Sequence, residues 1–121
     1  MTIRVLIVDD AVFMRDMIKD IFSGDDFEIV GEAVHGVEAV DRYTSLKPDL
    51  VTMDIVMPFK SGIEATKEIL AGDPQARIVM CSALGQESLV MEALEAGAKD
   101  FIVKPFKAED VLAVVRKVMV A

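Results

Sequence analysis

Asp9 and Asp10 end the apolar run Val5 to Val8, and Asp54 ends a second run beginning at Leu50. Such runs read as strands buried in a sheet, so a fold that aligns their ends gathers three carboxylates in one pocket. Carboxylates about 4 Å apart repel by roughly 4 kcal/mol per pair at an effective dielectric near 20. Protonation, solvent or a cation must relieve that cost. Oxygen donors in a partly hydrated site suit Mg²⁺, which binds through one or two carboxylates and keeps waters for a phosphoryl ligand. A carboxylate is also a nucleophile toward phosphorus. Aspartyl phosphate formation needs an attacking oxygen, a metal across the phosphoryl oxygens, and donors for the growing charge. Asp54 as attacker, Asp9 and Asp10 as metal holders, and Ser82 and Lys104 as phosphoryl contacts complete that set. Plainer roles stay open on these residues alone: helix capping for the paired acids, a turn hydroxyl for Ser82, a solvated ammonium for Lys104.

The elements that must position these groups are legible as alternating short apolar runs and amphipathic stretches. Strands are expected at Ile3 to Val8, Phe27 to Val30, Leu50 to Met53, Arg77 to Cys81 and Asp100 to Val103. The second is short and partly polar, which suits a sheet edge. Five helices are expected between and after them. The first buries Phe13, Met14, Met17, Ile18 and Ile21, and the second Val37, Val40 and Tyr43 before the Lys47-Pro48 stop. The third uses Ile63, Thr66, Ile69 and Leu70 and ends at Gly72 to Pro74. The fourth uses Leu89, Ala93, Leu94 and Ala96 and closes at Gly97; the fifth uses Val111, Leu112, Val115, Val118 and Met119. Five strand-helix repeats imply an α/β fold with a mostly parallel sheet covered on both faces. In such sheets sites form beyond the carboxyl ends of the strands, where Asp9, Asp10, Asp54, Ser82 and Lys104 all fall.

At 121 residues the chain reads as one domain, residues 1–121, large enough for a true core. A formal charge of -8 argues against a nucleic-acid surface, and no run of eighteen apolar residues or signal-peptide pattern suggests membrane insertion or export. The one cysteine, Cys81, permits no internal disulfide and reads as a buried small hydrophobe. A cytoplasmic location is the plain expectation. One Cys and one His, His35, give no structural zinc set, and His35 reads as an ordinary surface residue. No P-loop or dinucleotide glycine pattern points to ATP or NAD.

Several motifs, in order and at these spacings, carry a family likeness. They are Val8-Asp9-Asp10, Asp54, Met57-Pro58 with Gly62, Ser82-Ala83, and the stretch from Ala96 to Phe106 containing Asp100-Phe101 and Lys104-Pro105-Phe106. The chain resembles the receiver domain of two-component response regulators across essentially all its length. That resemblance implies a doubly wound five-stranded parallel sheet in the order 2-1-3-4-5 with five helices. It implies Asp54 as phosphoacceptor, with Asp10, Asp54 and the Val56 carbonyl as Mg²⁺ ligands and Asp9 acting largely through a coordinated water. It further implies Ser82 as switch hydroxyl, Phe101 as switch aromatic, Lys104 as phosphate-contacting lysine, and a cis bond before Pro105. Within the family, Phe13 to Arg15 and Cys81 to Gln86 are most similar to the single-domain chemotaxis regulators that bind the flagellar motor switch. The receivers of chemotaxis methylesterases look much alike. Phe59-Lys60-Ser61 departs from the family pattern, which has an apolar residue at 60 and Asp or Asn at 61.

Met91 lies outside the apolar arc of the fourth helix, beside Glu87 and Glu95, and should face solvent. Receivers commonly bind partners through the fourth helix, fifth strand and fifth helix, so Met91, Lys99 and Phe101 are the expected partner surface. The implied cycle starts from a histidine kinase or a small acyl phosphate and ends in hydrolysis. Val56 and Leu84, two residues beyond Asp54 and Ser82, offer no polar side chain to orient that water. Self-dephosphorylation should therefore be slow, leaving work for a separate phosphatase. The activity is Mg²⁺-dependent self-phosphorylation in a signalling protein, with a phosphorylation-independent interaction module or a metabolite phosphohydrolase as rivals.

Overall fold

Alternation along β1 (Ile3–Val8) decides which helix meets which face of the sheet. In the computed structural model, which describes residues 2–120, Leu6 and Val8 point into one apolar layer. Val5 and Ile7 point into the other. All four are fully buried, worth about 1.5–3 kcal/mol each. This double burial explains why the strand reads as a continuous apolar run.

The remaining elements follow in strict alternation: α1 (Val12–Ile21), β2 (Phe27–Ala33), α2 (Gly36–Leu46), β3 (Leu50–Asp54), α3 (Gly62–Gly72), β4 (Ile78–Ser82), α4 (Glu87–Ala96), β5 (Asp100–Val103) and α5 (Ala108–Val120). All strand pairs are parallel, in the order β2-β1-β3-β4-β5. The doubly wound fold and its strand order are therefore as the sequence led one to expect. Helices α2, α3 and α4 cover one face through Ala39, Tyr43, Ile63, Ile69, Val90 and Ala93. Helices α1 and α5 cover the other through Ile18, Val111, Val115 and Val118. Among the described residues, no helix is long and apolar enough to cross a membrane.

Three local expectations need correction. Phe13 is 68% exposed, and Phe22, just past the end of α1, takes the core place against Phe27 at 4.7 Å between ring centres. The buried arc of α1 is centred on Ile18 and Phe22, and Phe13 stands roughly 140° around the helix from Ile18. Val37 is half exposed because α2 buries the stripe Gly36, Ala39 and Tyr43. Finally, β2 runs three residues beyond Val30, crossing a register shift opposite Val5 and Leu6 that lets a polar stretch stay paired. It does lie at the sheet edge.

Candidate functional site

Parallel strands all end on one rim, and β1 and β3 are neighbours, so their terminal acids meet there. One carboxylate oxygen from each of Asp9, Asp10 and Asp54 lies within 4.8 Å of the others. Asp9 and Asp54 are buried, while Asp10 is exposed. β4 lies beside β3 and β5 beside β4, which brings Ser82 and Lys104 to the same rim. The backbone N–H of Lys104 donates to the Ser82 carbonyl at 2.8 Å, so the lysine starts beside the end of β4. The Lys104–Pro105 bond is cis.

From there the Lys104 ammonium reaches both buried acids, at 3.2 Å from Asp9 Oδ2 and 3.3 Å from Asp54 Oδ1. Among the described residues, Lys104 thus pairs with two of the three carboxylates of the cluster. Burial, then the nearby Asp9 charge, pushes the Asp54 carboxyl up to about 6 despite Lys104. Burial pulls the Lys104 ammonium down, but Asp54 and Asp9 outweigh it and its net shift is upward. The donor set is entirely hard oxygen, still short of positive charge and open to solvent on the Asp10 side. It fits Mg²⁺, and these three aspartates are a Mg²⁺-type cluster.

Each acid is held by local backbone. Asp9 Oδ1 accepts the Ala11 N–H at 2.9 Å, and Asp54 Oδ1 accepts the Ile55 N–H at 3.0 Å. Asp54 Oδ1 therefore serves Ile55 and Lys104, leaving Oδ2 as the freer oxygen. The loop after β3 turns back where Gly62 N–H donates to the Ile55 carbonyl at 2.8 Å. A Cβ on Gly62 would lie 1.8 Å from the Asp54 carbonyl oxygen, so only glycine permits this approach. Val56 sits at the start of that loop with its side chain 58% exposed.

Ser82 is buried, and its hydroxyl donates to the Ile102 carbonyl at 3.4 Å. Beside it lies a cavity of about 250 Å³ lined by Ser82, Leu84, Val90, Met91, Phe101 and Val103. Phe101 is 37% exposed at its mouth. Met91 and Phe101 therefore share one surface feature, whereas Lys99 lines a different hollow with Arg77 and Lys117. Met91 is 58% exposed, in line with its place outside the apolar arc.

The unusual Phe59-Lys60 pair turns away from the acids. Lys60 is ion-paired with Glu68 of α3, and its carbonyl accepts the Gly36 N–H at 3.1 Å. Phe59 takes a left-handed backbone (φ 68°) and meets His35 edge-on at 5.1 Å. His35 is more than a surface residue, since its Nδ1 caps α2 by accepting the Glu38 N–H at 3.2 Å. No isolated motif in the sequence announces that cap.

Residues 5–116 match the model of the response regulator receiver domain. The chemotaxis protein CheY of Thermotoga maritima is 58% identical over 115 residues, spanning 95% of this chain and 96% of that protein. A protein-glutamate methylesterase/protein-glutamine glutaminase of the same organism is 51% identical over 106 residues, spanning 85% of this chain and 30% of that protein. Among solved structures, the CheX–CheY–BeF3–Mg²⁺ complex from Borrelia burgdorferi contains a chain 44% identical with a TM-score of 0.92, covering 98% of this chain and 90% of that one.

Proposed function

The chain belongs to the response regulator receiver domain family, phosphorylation-responsive modules of two-component systems, and from that membership we propose that it accepts a phosphoryl group on Asp54 from a histidine kinase and controls chemotaxis by binding the flagellar motor switch. The observation that carries the phosphorylation reading is the convergence of Asp9, Asp10, Asp54 and Lys104 on one rim. The chemotaxis reading draws on likeness: the T. maritima chemotaxis protein is matched at higher identity, and over more of this chain, than the methylesterase of that organism.

Asp54 Oδ2 attacks the phosphorus of a phosphohistidine or acyl phosphate, and the bond from phosphorus to the donor breaks with its electron pair leaving on the donor. Asp9, Asp10, Asp54 and the Val56 carbonyl would hold Mg²⁺, which when bound supplies positive charge across the carboxylate and phosphoryl oxygens. Lys104 moves its ammonium from the shared carboxylates to a phosphoryl oxygen. Ser82 gives up its weak bond to the Ile102 carbonyl and donates to another. The space it leaves, joined to the adjoining cavity, accepts the Phe101 ring and redraws the surface formed with Met91. Lys99, just before β5 and in the hollow with Arg77 and Lys117, is a further part of this proposed partner surface. Val56 and Leu84 flank the acids with exposed apolar side chains, so the acyl phosphate decays over minutes or more and a separate phosphatase shortens its life. The work is that of a cytoplasmic signalling protein, whose chemistry is Mg²⁺-dependent self-phosphorylation and slow self-dephosphorylation.

Intact-protein mass after incubation with Mg²⁺ and acetyl phosphate tests this. The wild type gains one phosphoryl group that persists for minutes after the donor is removed, and D54A gains none. No gain from either acetyl phosphate or a histidine kinase would leave the chain as a phosphorylation-independent interaction module.

A further inference from the structure

Arg15 stands in the first turns of α1 with its side chain only 13% exposed, an unusual degree of burial for a guanidinium. Its Nη1 donates to the backbone carbonyl of Asp9 at 2.8 Å, and its Nε donates to Glu32 Oε1 on β2 at 2.9 Å. An ion pair with Glu32 alone would tie α1 to β2. The second contact reaches instead into the peptide that joins the two metal-site acids.

Among the described residues, that peptide is otherwise held only from the Asp9 side. The Asp9 N–H donates to the Ala33 carbonyl at 3.1 Å, Oδ1 accepts from Ala11, and Oδ2 accepts from Lys104. All three set the position of Asp9. The Asp9 carbonyl belongs to the plane shared with the Asp10 nitrogen, so its direction sets where the Asp10 side chain leaves the backbone. The Asp10 carboxylate is exposed to solvent, and its direction is inherited from the backbone. A rigid planar fork suits the task, since one edge holds the carbonyl while another nitrogen is anchored. Glu32, itself steadied by Lys19 at 3.2 Å, neutralises the guanidinium and keeps it from repelling a cation nearby.

We propose that Arg15 is a positioning residue for the Mg²⁺ site: by clamping the Asp9 carbonyl against Glu32 it aims the Asp10 carboxylate at Asp54. The proposal rests on the Mg²⁺ reading of the acidic cluster and acts through the ligands, without touching the ion or the phosphoryl group. Partners that orient metal ligands in this way are typically worth about 10- to 100-fold in metal affinity.

Calorimetric titration of Mg²⁺ into wild type, R15M, R15K and E32Q tests it, with thermal melts on each. R15M should bind Mg²⁺ about 10- to 100-fold more weakly while remaining folded at the titration temperature. R15K, which can reach one partner but not both, should fall between R15M and wild type. E32Q keeps an oxygen acceptor for Nε and should lose less than R15M. In acetyl phosphate labelling, the Mg²⁺ concentration for half-maximal rate should rise in R15M, and the rate at saturating Mg²⁺ should return close to wild type. Wild-type affinity in R15M, or in R15K should R15M fail to fold, overturns the role of Arg15 while leaving the cluster as a cation site. A lost saturating rate with an unmoved half-saturation also overturns it. Absence of Mg²⁺ binding by wild type removes the cation reading and this inference with it.

Discussion

The proposed attack needs Asp54 ionised, yet burial and then Asp9 push its carboxyl up to about 6 against an ordinary value of 3.8. Between those two pH values the folded chain keeps a proton that the unfolded chain has lost. Stability from this group is therefore full below about pH 4 and falls as pH rises through about 6. In EDTA, D54N should melt several degrees above wild type at pH 8, with the difference vanishing near pH 4. Equal melting temperatures at pH 8 would mean that Asp54 carries no burial penalty. The acids, Ser82 and Lys104 were legible because strand ends can be read from apolar runs, and strand ends decide the rim. Arg15 was legible only as part of a likeness, because its structural contact is to a backbone carbonyl, and no residue pattern marks a carbonyl.

At the level of elements, the two glycines at the ends of α3 face opposite demands. Gly62 lets the loop close onto the Asp54 carbonyl, with no room for a methyl group. Gly72 closes the helix with nothing within 4 Å of a built Cβ. In urea denaturation, G62A should lose about 3 kcal/mol or more, while G72A should gain up to about 1 kcal/mol from helix propensity and a less free unfolded chain. G62A should also label slowly, since β3 must shift at its terminal residue to make room. Similar midpoints for the two variants would contradict the close approach. Helical periodicity located all five helices, but it placed Phe13 in the buried arc of α1 and did not reach Phe22, which lies just beyond the helix. The length of β2 escaped for a related reason. Edge pairing tolerates Glu28, Gly31 and Glu32, so polarity there did not end the strand.

Over the whole molecule, the rim proposed to take the phosphoryl group and the face that would report it are joined by the cavity lined by Ser82 and Phe101. The chain has no tryptophan, so F101W supplies a single reporter. Its emission should shift to the blue on addition of Mg²⁺ and acetyl phosphate, and should not shift when S82A or D54A is added to it. An unchanged spectrum in protein shown by mass to be phosphorylated would break the link between Ser82 and Phe101. The architecture itself was readable because each of the five repeats has its own apolar signature, whereas the turn of Lys60 toward Glu68 depends on a neighbour eight residues away. Lys104 has a last consequence. By lying between Asp9 and Asp54 it gives the folded chain a resident counter-ion, unlike small zinc domains that are unfolded without their metal. A cell short of magnesium would then hold a silent receiver that still resists proteolysis, ready to signal once the ion returns.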